Sequence, residues 1–286
     1  MEESPAAALP APCPLVLLLL SLVAALAVAW FWREPLFGEW RRRRIRRRPF
    51  PAEWRQVLRR RVPYFRALPA DLQLQLKKRI QVFLAEKPFI GCAGLEVTDE
   101  MRVTIAAQAC LLVLNRRGEC FANLRQILVY PGPFAVDKVH ADGSGVLQEQ
   151  RHALAVESWT LGQVVLSWED ALAGAESPDD GRNVVIHEFA HQLDQENGRA
   201  NGAPPMAGKA RQARWARVLG AEFEGLRQAT RDGRPMLLSS YGAGSAAEFF
   251  AVVSEVFFEQ PGPLAAGHPA LYGVLSEFYR VDPLSW

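Results

Sequence analysis

Cysteine is scarce in this chain of 286 residues. Its four cysteines, Cys13, Cys92, Cys110 and Cys120, are scattered, and none belongs to a Cys-x-x-Cys pair. Their number and spacing exclude a disulfide framework and argue against a thiolate zinc site. Histidine is also scarce, with five residues, so a pair of histidines at ligand spacing carries information.

Internal repeats are absent from the sequence as well. Hydrophobic residues make up 49% of the chain and charged residues 22%, values close to those of ordinary globular proteins. This composition excludes wholesale disorder. The length suffices for one sizeable domain, or two small ones, with a core that needs no disulfides.

Charged residues are missing from Ser4 to Trp32, and Leu15–Trp32 is almost wholly apolar. This run of 18 residues is at the short end of what spans a bilayer. A cleaved signal peptide is disfavoured by the acidic start of the chain, and a buried core helix by the arginines that follow. The sequence therefore predicts one transmembrane anchor over residues 15–32, after a short tail over residues 1–14.

The net charge of +2 averages two unlike parts. Arg33–Arg61 holds 12 arginines against 3 glutamates, whereas Val62–Trp286 holds 21 basic and 26 acidic residues. The arginine run Arg41–Arg48 follows the apolar segment, which favours anionic lipid headgroups over nucleic acid as its partner and a cytoplasmic C-terminal side. We therefore predict a basic juxtamembrane segment over residues 33–49, one domain over residues 50–286, and no direct nucleic-acid partner.

The hydrophobic periodicity predicts an α+β fold in which helices predominate. Helices separated by prolines are expected within Phe50–Glu86, and Thr104–Asn115 is apolar nearly all round, which is typical of a central core helix. Ile127–Tyr130 resembles a strand, and Leu154–Trp168 resembles a hairpin. Helical patterns dominate the remainder of the chain.

The most informative segment contains the motif His-Glu-x-x-His. On a helix His187 and His191 lie one turn apart on one face, so both imidazoles can reach one Zn²⁺. Glu188 lies beside that face, where it can take a proton from a metal-bound water. The sequence Ser177–Asp180 has the form of a capping box and predicts the start of this helix. The alternative, two histidines packed in a surface helix, fits their spacing around a glutamate poorly.

A third ligand is needed, and no third histidine follows at the spacing of the extended metzincin motif. Three further histidines lie outside recognisable ligand patterns: His140, His152 and His268. A carboxylate is the natural third ligand, and Glu248 heads an apolar helix. However, Ser245 and Glu248 also have the spacing of a capping box, which needs no metal. Glu255 and Glu259 are rival ligands further along the chain.

Several long motifs resemble those of the Mlc titration factor A family of zinc peptidases. They are HEFAHQLD with the following Asn201-Gly202, AEFFAVVSEVFFEQP, EKPFIGCAGLEVTDEMRVTIAAQACLLVLN and VVLSWEDA. The resemblance runs from about Phe50 to the C-terminus. It implies a zincin-like fold, a metal held by His187, His191 and Glu248, and Glu188 as the base. It also implies that Tyr241 stabilises the oxyanion.

The expected function is that of a membrane-anchored zinc peptidase with one Zn²⁺ per chain that acts on a peptide or protein. An aminopeptidase-like activity is one option, and the sequence does not distinguish it from an endopeptidase. The predicted anchor and the arginines that follow it place this peptidase at a bacterial inner membrane, with the catalytic domain in the cytoplasm. The alternative that the resemblance implies is a regulatory protein that sequesters a Mlc-like transcriptional repressor of sugar-uptake genes. A purely structural zinc domain is disfavoured, because such sites usually have four protein ligands and three are evident.

Overall fold

The computed structural model describes residues 37–116, 121–133 and 162–286, together with residues 18, 22, 23 and 27. The chain divides into two compact units, Met1–Arg48 and Pro49–Trp286. In the first unit residues 37–46 are helical. His140, His152, Cys13 and Cys120 lie outside the described residues, as does the first arm of the predicted hairpin.

The second unit is mostly helical, with a small sheet, as the periodicity predicts. Its helices are α1 (Ala52–Arg61), α2 (Tyr64–Ala67), α3 (Ala70–Glu86), α4 (Asp99–Leu111), α5 (Trp168–Glu176), α6 (Val184–Asp194), α7 (Lys209–Arg231), α8 (Ala246–Glu259), α9 (Pro261–Gly267) and α10 (Pro269–Tyr279). Its strands are β1 (Phe89–Gly91), β2 (Gln126–Tyr130) and β3 (Gln163–Ser167). Short 3₁₀ turns lie at Gln195–Asn197, Ser240–Ala243 and Pro283–Ser285.

The anchor predicted at Leu15–Trp32 requires a correction. Most of this run falls outside the described residues, and no helix in the described part of the chain is long and apolar enough to cross a membrane. The prediction of a single-pass protein at the inner membrane is therefore wrong. It depended on an apolar run at the lower limit of spanning length and on the arginines beside it.

Helix α4 occupies the centre of the core, as its apolar sequence predicts. Every residue from Val103 to Leu111 is buried. The helix begins earlier than expected, because Thr98 caps it: its Oγ1 accepts a hydrogen bond from Met101 N at 3.3 Å. Two acidic residues, Asp99 and Glu100, then complement the helix dipole in the first turn.

The three strands are parallel and lie in the order β1-β2-β3. Phe89 pairs with Ile127, and Ile127 pairs with Val164. Helix α4 connects β1 to β2, as parallel neighbours require a crossover. The second arm of the predicted hairpin is thus β3, which pairs in parallel with β2 rather than within a described hairpin. Side-chain alternation identified the strand, but it carries no information about which strand is its partner.

Helix α6 begins at Val184, not near Ser177. Ser177 instead follows the last residue of α5. The true cap is Asn183, whose Oδ1 accepts from Ile186 N at 3.0 Å, while its Nδ2 donates to Gly174 O at 3.0 Å. The start of α6 is therefore fixed by contacts with distant segments, which a local capping pattern cannot reveal.

Candidate metal centre

His187 and His191 lie one turn apart on α6, and their side chains meet. Their Nε2 atoms are 3.2 Å apart and their ring centroids 4.9 Å apart. His191 is fully buried, whereas the side chain of His187 keeps 12% of its surface exposed. Two nitrogen atoms that face each other at this distance form half of a tetrahedral donor set.

Glu248 reaches the same point from the first turn of α8, which packs against α6. Its Oε2 is 3.0 Å from His187 Nε2, and its Oε1 is 3.5 Å from His191 Nε2. Donor atoms of these three residues all lie within 4.8 Å of one another. The structure thus brings together the three residues that the sequence analysis predicts as metal ligands.

Glu248 takes part in both arrangements that its spacing left open. Its backbone N–H donates to Ser245 Oγ at 3.2 Å, so Ser245 caps α8 as the sequence pattern predicts. Its carboxylate points at the two histidines instead of acting only within its own turn. The capping pattern and the metal-binding geometry are therefore compatible, because they use different atoms of the same residue.

Glu255, one of the rival ligands, contacts the opposite side of the His187 ring. Its Oε1 lies 2.7 Å from His187 Nδ1, and its Oε2 accepts from Asn183 N at 2.6 Å. When Nδ1–H donates to this carboxylate, the lone pair of Nε2 faces the centre. Glu255 is therefore placed to orient a ligand, a role that the sequence analysis did not predict. Its position two turns after Glu248 on one helical face was the available signal.

Glu259, the other rival, also lies away from the donor atoms. It accepts a hydrogen bond from Asn183 Nδ2 at 2.9 Å through Oε1. Burial raises the pKa of Glu259 to about 8, although its bond with Asn183 works in the opposite direction. His268 is likewise occupied elsewhere, since its Nδ1 lies 2.7 Å from Glu222.

The raised pKa of Glu259 predicts a pH-dependent cost to stability. The native state holds this proton up to about pH 8, whereas the unfolded chain loses it near the ordinary glutamate pKa of 4.5. Stability therefore falls as pH rises between these values. Glu259→Gln keeps the acceptor for Asn183 and should melt at least about 3 °C above the wild type at pH 8, with a smaller difference at pH 5. Thermal melts across this range, with exposed Glu224→Gln as control, test it; a constant difference would contradict the assignment.

The charges at the centre suit a cation. Burial by itself would raise the pKa of Glu248, but hydrogen bonds with His187 and His191 outweigh it and hold that pKa well below its usual range. Burial would likewise lower the pKa of His187, but Glu248 and Glu255 raise it to about 10. Two carboxylates thus attract positive charge to one imidazole. A divalent cation complements the same donors.

Glu188 and Tyr241 border the donor atoms. Glu188 is half-buried, and its charge acts on both His187 and Tyr241. The rings of Tyr241 and His187 are 5.7 Å apart between centroids. Burial, followed by the charges of Glu248 and Glu188, raises the pKa of Tyr241, so its hydroxyl keeps a proton that it can donate.

Gly202 supports the centre from the loop after α6. Its N–H donates to Asp194 Oδ2 at 2.7 Å, and its carbonyl accepts from Trp215 Nε1 at 2.9 Å. Its φ is +74°, and an added Cβ would lie 2.4 Å from the carbonyl oxygen of Ala246 at the start of α8. Only glycine fits, because both the backbone angle and the close approach exclude a side chain.

Gly202→Ala should therefore destabilise the fold by about 2–4 kcal/mol and weaken metal binding, because α8 carries Glu248. The matched control is Gly208→Ala. That position has a φ of +94° but nothing within 4 Å of an added Cβ, so it isolates the backbone strain. Urea unfolding of both variants measures the difference, and equal losses would contradict a role for the close approach to Ala246.

Comparisons with known proteins agree with the motifs. A family model described as glucose-regulated metallo-peptidase M90 matches residues 37–280. An uncharacterized protein of Synechocystis sp. is 38% identical over 258 residues, which are 90% of this chain and 94% of the relative. Mlc titration factor A of Klebsiella pneumoniae is 33% identical over 234 residues, 81% of this chain and 87% of the relative. The Escherichia coli protein of that name is 32% identical over 234 residues, with 81% and 86% covered.

Proposed function

The chain belongs to the glucose-regulated metallo-peptidase M90 family, and from that premise we propose that it is a zinc-dependent peptidase whose metal is held by His187, His191 and Glu248. The observation that carries the proposal is the convergence of two imidazole nitrogens and one carboxylate within 4.8 Å. This is the His₂Glu donor set of catalytic zinc sites.

The number of donors supports catalysis over a structural role. Among the residues that the structure describes, the metal-binding group has three members. Structural zinc sites are generally closed by four protein ligands, whereas catalytic sites use three. The exposed fraction of His187, 12% of its side chain, is also compatible with access for a substrate.

In the proposed reaction, bound Zn²⁺ would supply Lewis acidity towards the substrate carbonyl and the attacking water. Glu188 accepts a proton from that water and delivers it to the leaving amine. Tyr241 donates its hydroxyl proton in a hydrogen bond to the developing oxyanion, a contribution of about 3 kcal/mol. Glu255 holds the His187 ring so that Nε2 faces the reacting groups.

Metal removal tests the proposal. The purified chain should hydrolyse an internally quenched peptide or an amino-acid p-nitroanilide; a chelator should abolish the activity, and one equivalent of Zn²⁺ should restore it. The p-nitroanilide reports aminopeptidase activity, and a peptide blocked at its N-terminus reports endopeptidase activity, so the pair distinguishes the two options that the sequence leaves open. Hydrolysis that survives complete metal removal would overturn the proposal.

A second candidate function is the binding of a Mlc-like repressor. Its support is the name Mlc titration factor A carried by relatives that are 32–33% identical over 81% of this chain. Glu188→Gln separates the two functions, because this change removes the base but leaves the surface of the domain almost unchanged. Repressor binding by this variant, measured by calorimetry, would support the second function, and a wild-type chain that binds no repressor would exclude it.

A further inference from the structure

A second concave surface, away from the metal centre, lies on the N-terminal helices of the domain. A cavity of about 250 Å³ between α1, α2 and α3 is lined by Arg55, Arg59, Phe65, Arg66, Gln73 and Lys77. We call it the arginine pocket. Four of these six side chains are cationic, and none is acidic. A concave surface lined by charges of one sign concentrates the electrostatic field and attracts counter-ions.

The cations of the arginine pocket differ from their neighbours on α1. Arg60 lies 2.9 Å from Glu100, and Arg61 lies 2.5 Å from both Glu100 and Glu176. In contrast, Arg55, Arg59, Arg66 and Lys77 form no ion pair with any carboxylate in the described part of the chain. The same helix thus has one face neutralised by glutamates and another whose positive charge is left to the solvent or to a ligand.

Backbone carbonyls orient three of the six side chains that line the arginine pocket. Arg66 Nη2 donates to the carbonyl of Arg59 at 2.7 Å, and Arg55 Nη2 donates to the carbonyl of Phe50 at 3.3 Å. Gln73 Nε2 donates to the carbonyl of Leu68 at 2.9 Å. A guanidinium has five N–H donors, so each arginine retains several for a ligand after these bonds. These bonds restrict the rotamers of three lining side chains, which reduces the entropy that those side chains lose on binding.

Another cavity of the domain, about 260 Å³ in volume, is also rich in arginine. Most of its arginines, however, form ion pairs with carboxylates. Its Arg211 and Arg214 pair with Glu277 at 2.9 Å and 3.1 Å. Its Arg116 pairs with Glu196 at 2.7 Å. An anion would have to compete there with carboxylates already in place, whereas the arginine pocket contains no such competitor.

We propose that the arginine pocket binds a small phosphate-bearing anion, either free phosphate or a phosphate ester. The planar guanidinium fork matches phosphate oxygens in paired hydrogen bonds, and Lys77 adds a point charge. The site shares no residue with the metal centre, so this binding is a property beyond the proposed peptidase function.

Calorimetric titration of the full chain with inorganic phosphate, pyrophosphate and phenyl phosphate tests the proposal at about 0.15 M salt, where weak surface attraction is screened. Saturable binding is expected for the wild type. Arg59→Gln combined with Lys77→Gln should weaken it about ten-fold or more. The matched control is Arg217→Gln, an exposed arginine on α7, which should change the affinity less than about two-fold.

The single variant Lys77→Gln controls for a folding defect in the double variant. The Lys77 side chain forms no hydrogen bond or ion pair with the described residues, so its replacement should leave the fold intact. The single variant should weaken phosphate binding by a smaller factor than the double variant. Tighter binding of phenyl phosphate than of inorganic phosphate would identify an ester, and the reverse a free phosphate; either supports the proposal. No saturable binding by the wild type, an undiminished affinity in the double variant, or an equal loss in Arg217→Gln would overturn it.

Discussion

Glu188→Gln is expected to lower kcat for peptide hydrolysis by about 10²–10⁴-fold. The amide has nearly the same shape as the carboxylate, but it cannot accept the proton of the attacking water. The three proposed ligands are untouched, so the metal content and the melting temperature should stay close to those of the wild type. Steady-state kinetics on the quenched peptide, with metal analysis of the same sample, measure both effects.

The control for this variant is Glu53→Gln, which removes one exposed carboxylate on α1 and should leave kcat unchanged. A Glu188→Gln enzyme with wild-type kcat would mean that another group carries the proton. A variant that loses its metal together with its activity would instead assign Glu188 to the metal centre.

Glu248→Gln is expected to reduce zinc affinity by more than about 100-fold while the fold persists. The glutamine retains the backbone N–H that donates to Ser245 Oγ, so the cap of α8 stays intact. What is lost is the anionic oxygen that faces His187 and His191. Competition with a zinc chelator measures the affinity, and circular dichroism reports the helices.

Ser245→Ala supplies the complementary change. It removes the cap and should cost about 1 kcal/mol of stability, yet leave zinc bound. The two variants thus separate the roles that one spacing suggests. Full zinc affinity in Glu248→Gln would show that Glu248 is only part of the cap and that its carboxylate is not a metal ligand.

The sequence predicts the helical part of the fold well, because its signals are local. The two helical runs predicted within Phe50–Glu86 correspond to α1 and α3, and these helices and the buried helix α4 follow from hydrophobic periodicity and proline positions. The four-residue helix α2 between them was not predicted. The strand pairing does not follow, because alternation in β3 identifies a strand but not its parallel partner β2. The anchor at Leu15–Trp32 was wrong, since it depended on hydropathy at its lower limit.

At the candidate site, the sequence located the motif, but spacing separated the acidic residues of α8 only weakly, and the resemblance was needed to choose Glu248 as the ligand. Glu255 lies two turns after Glu248, and Glu259 lies one turn after Glu255, so all three were candidate metal ligands. The structure distinguishes them by what they touch: the two histidine Nε2 atoms, His187 Nδ1, and the Asn183 amide. Such assignments depend on the packing of α8 against α6, which no local pattern encodes.

The most direct test of the metal centre is the metal content of the purified chain and of three histidine variants. We expect one zinc per chain in the wild type and almost none in His187→Ala and His191→Ala. His268→Ala is the matched control, because His268 also contacts a carboxylate, Glu222, but lies outside the metal-binding group; it should retain its zinc. Equal zinc in all four proteins, or none in the wild type, would contradict the account.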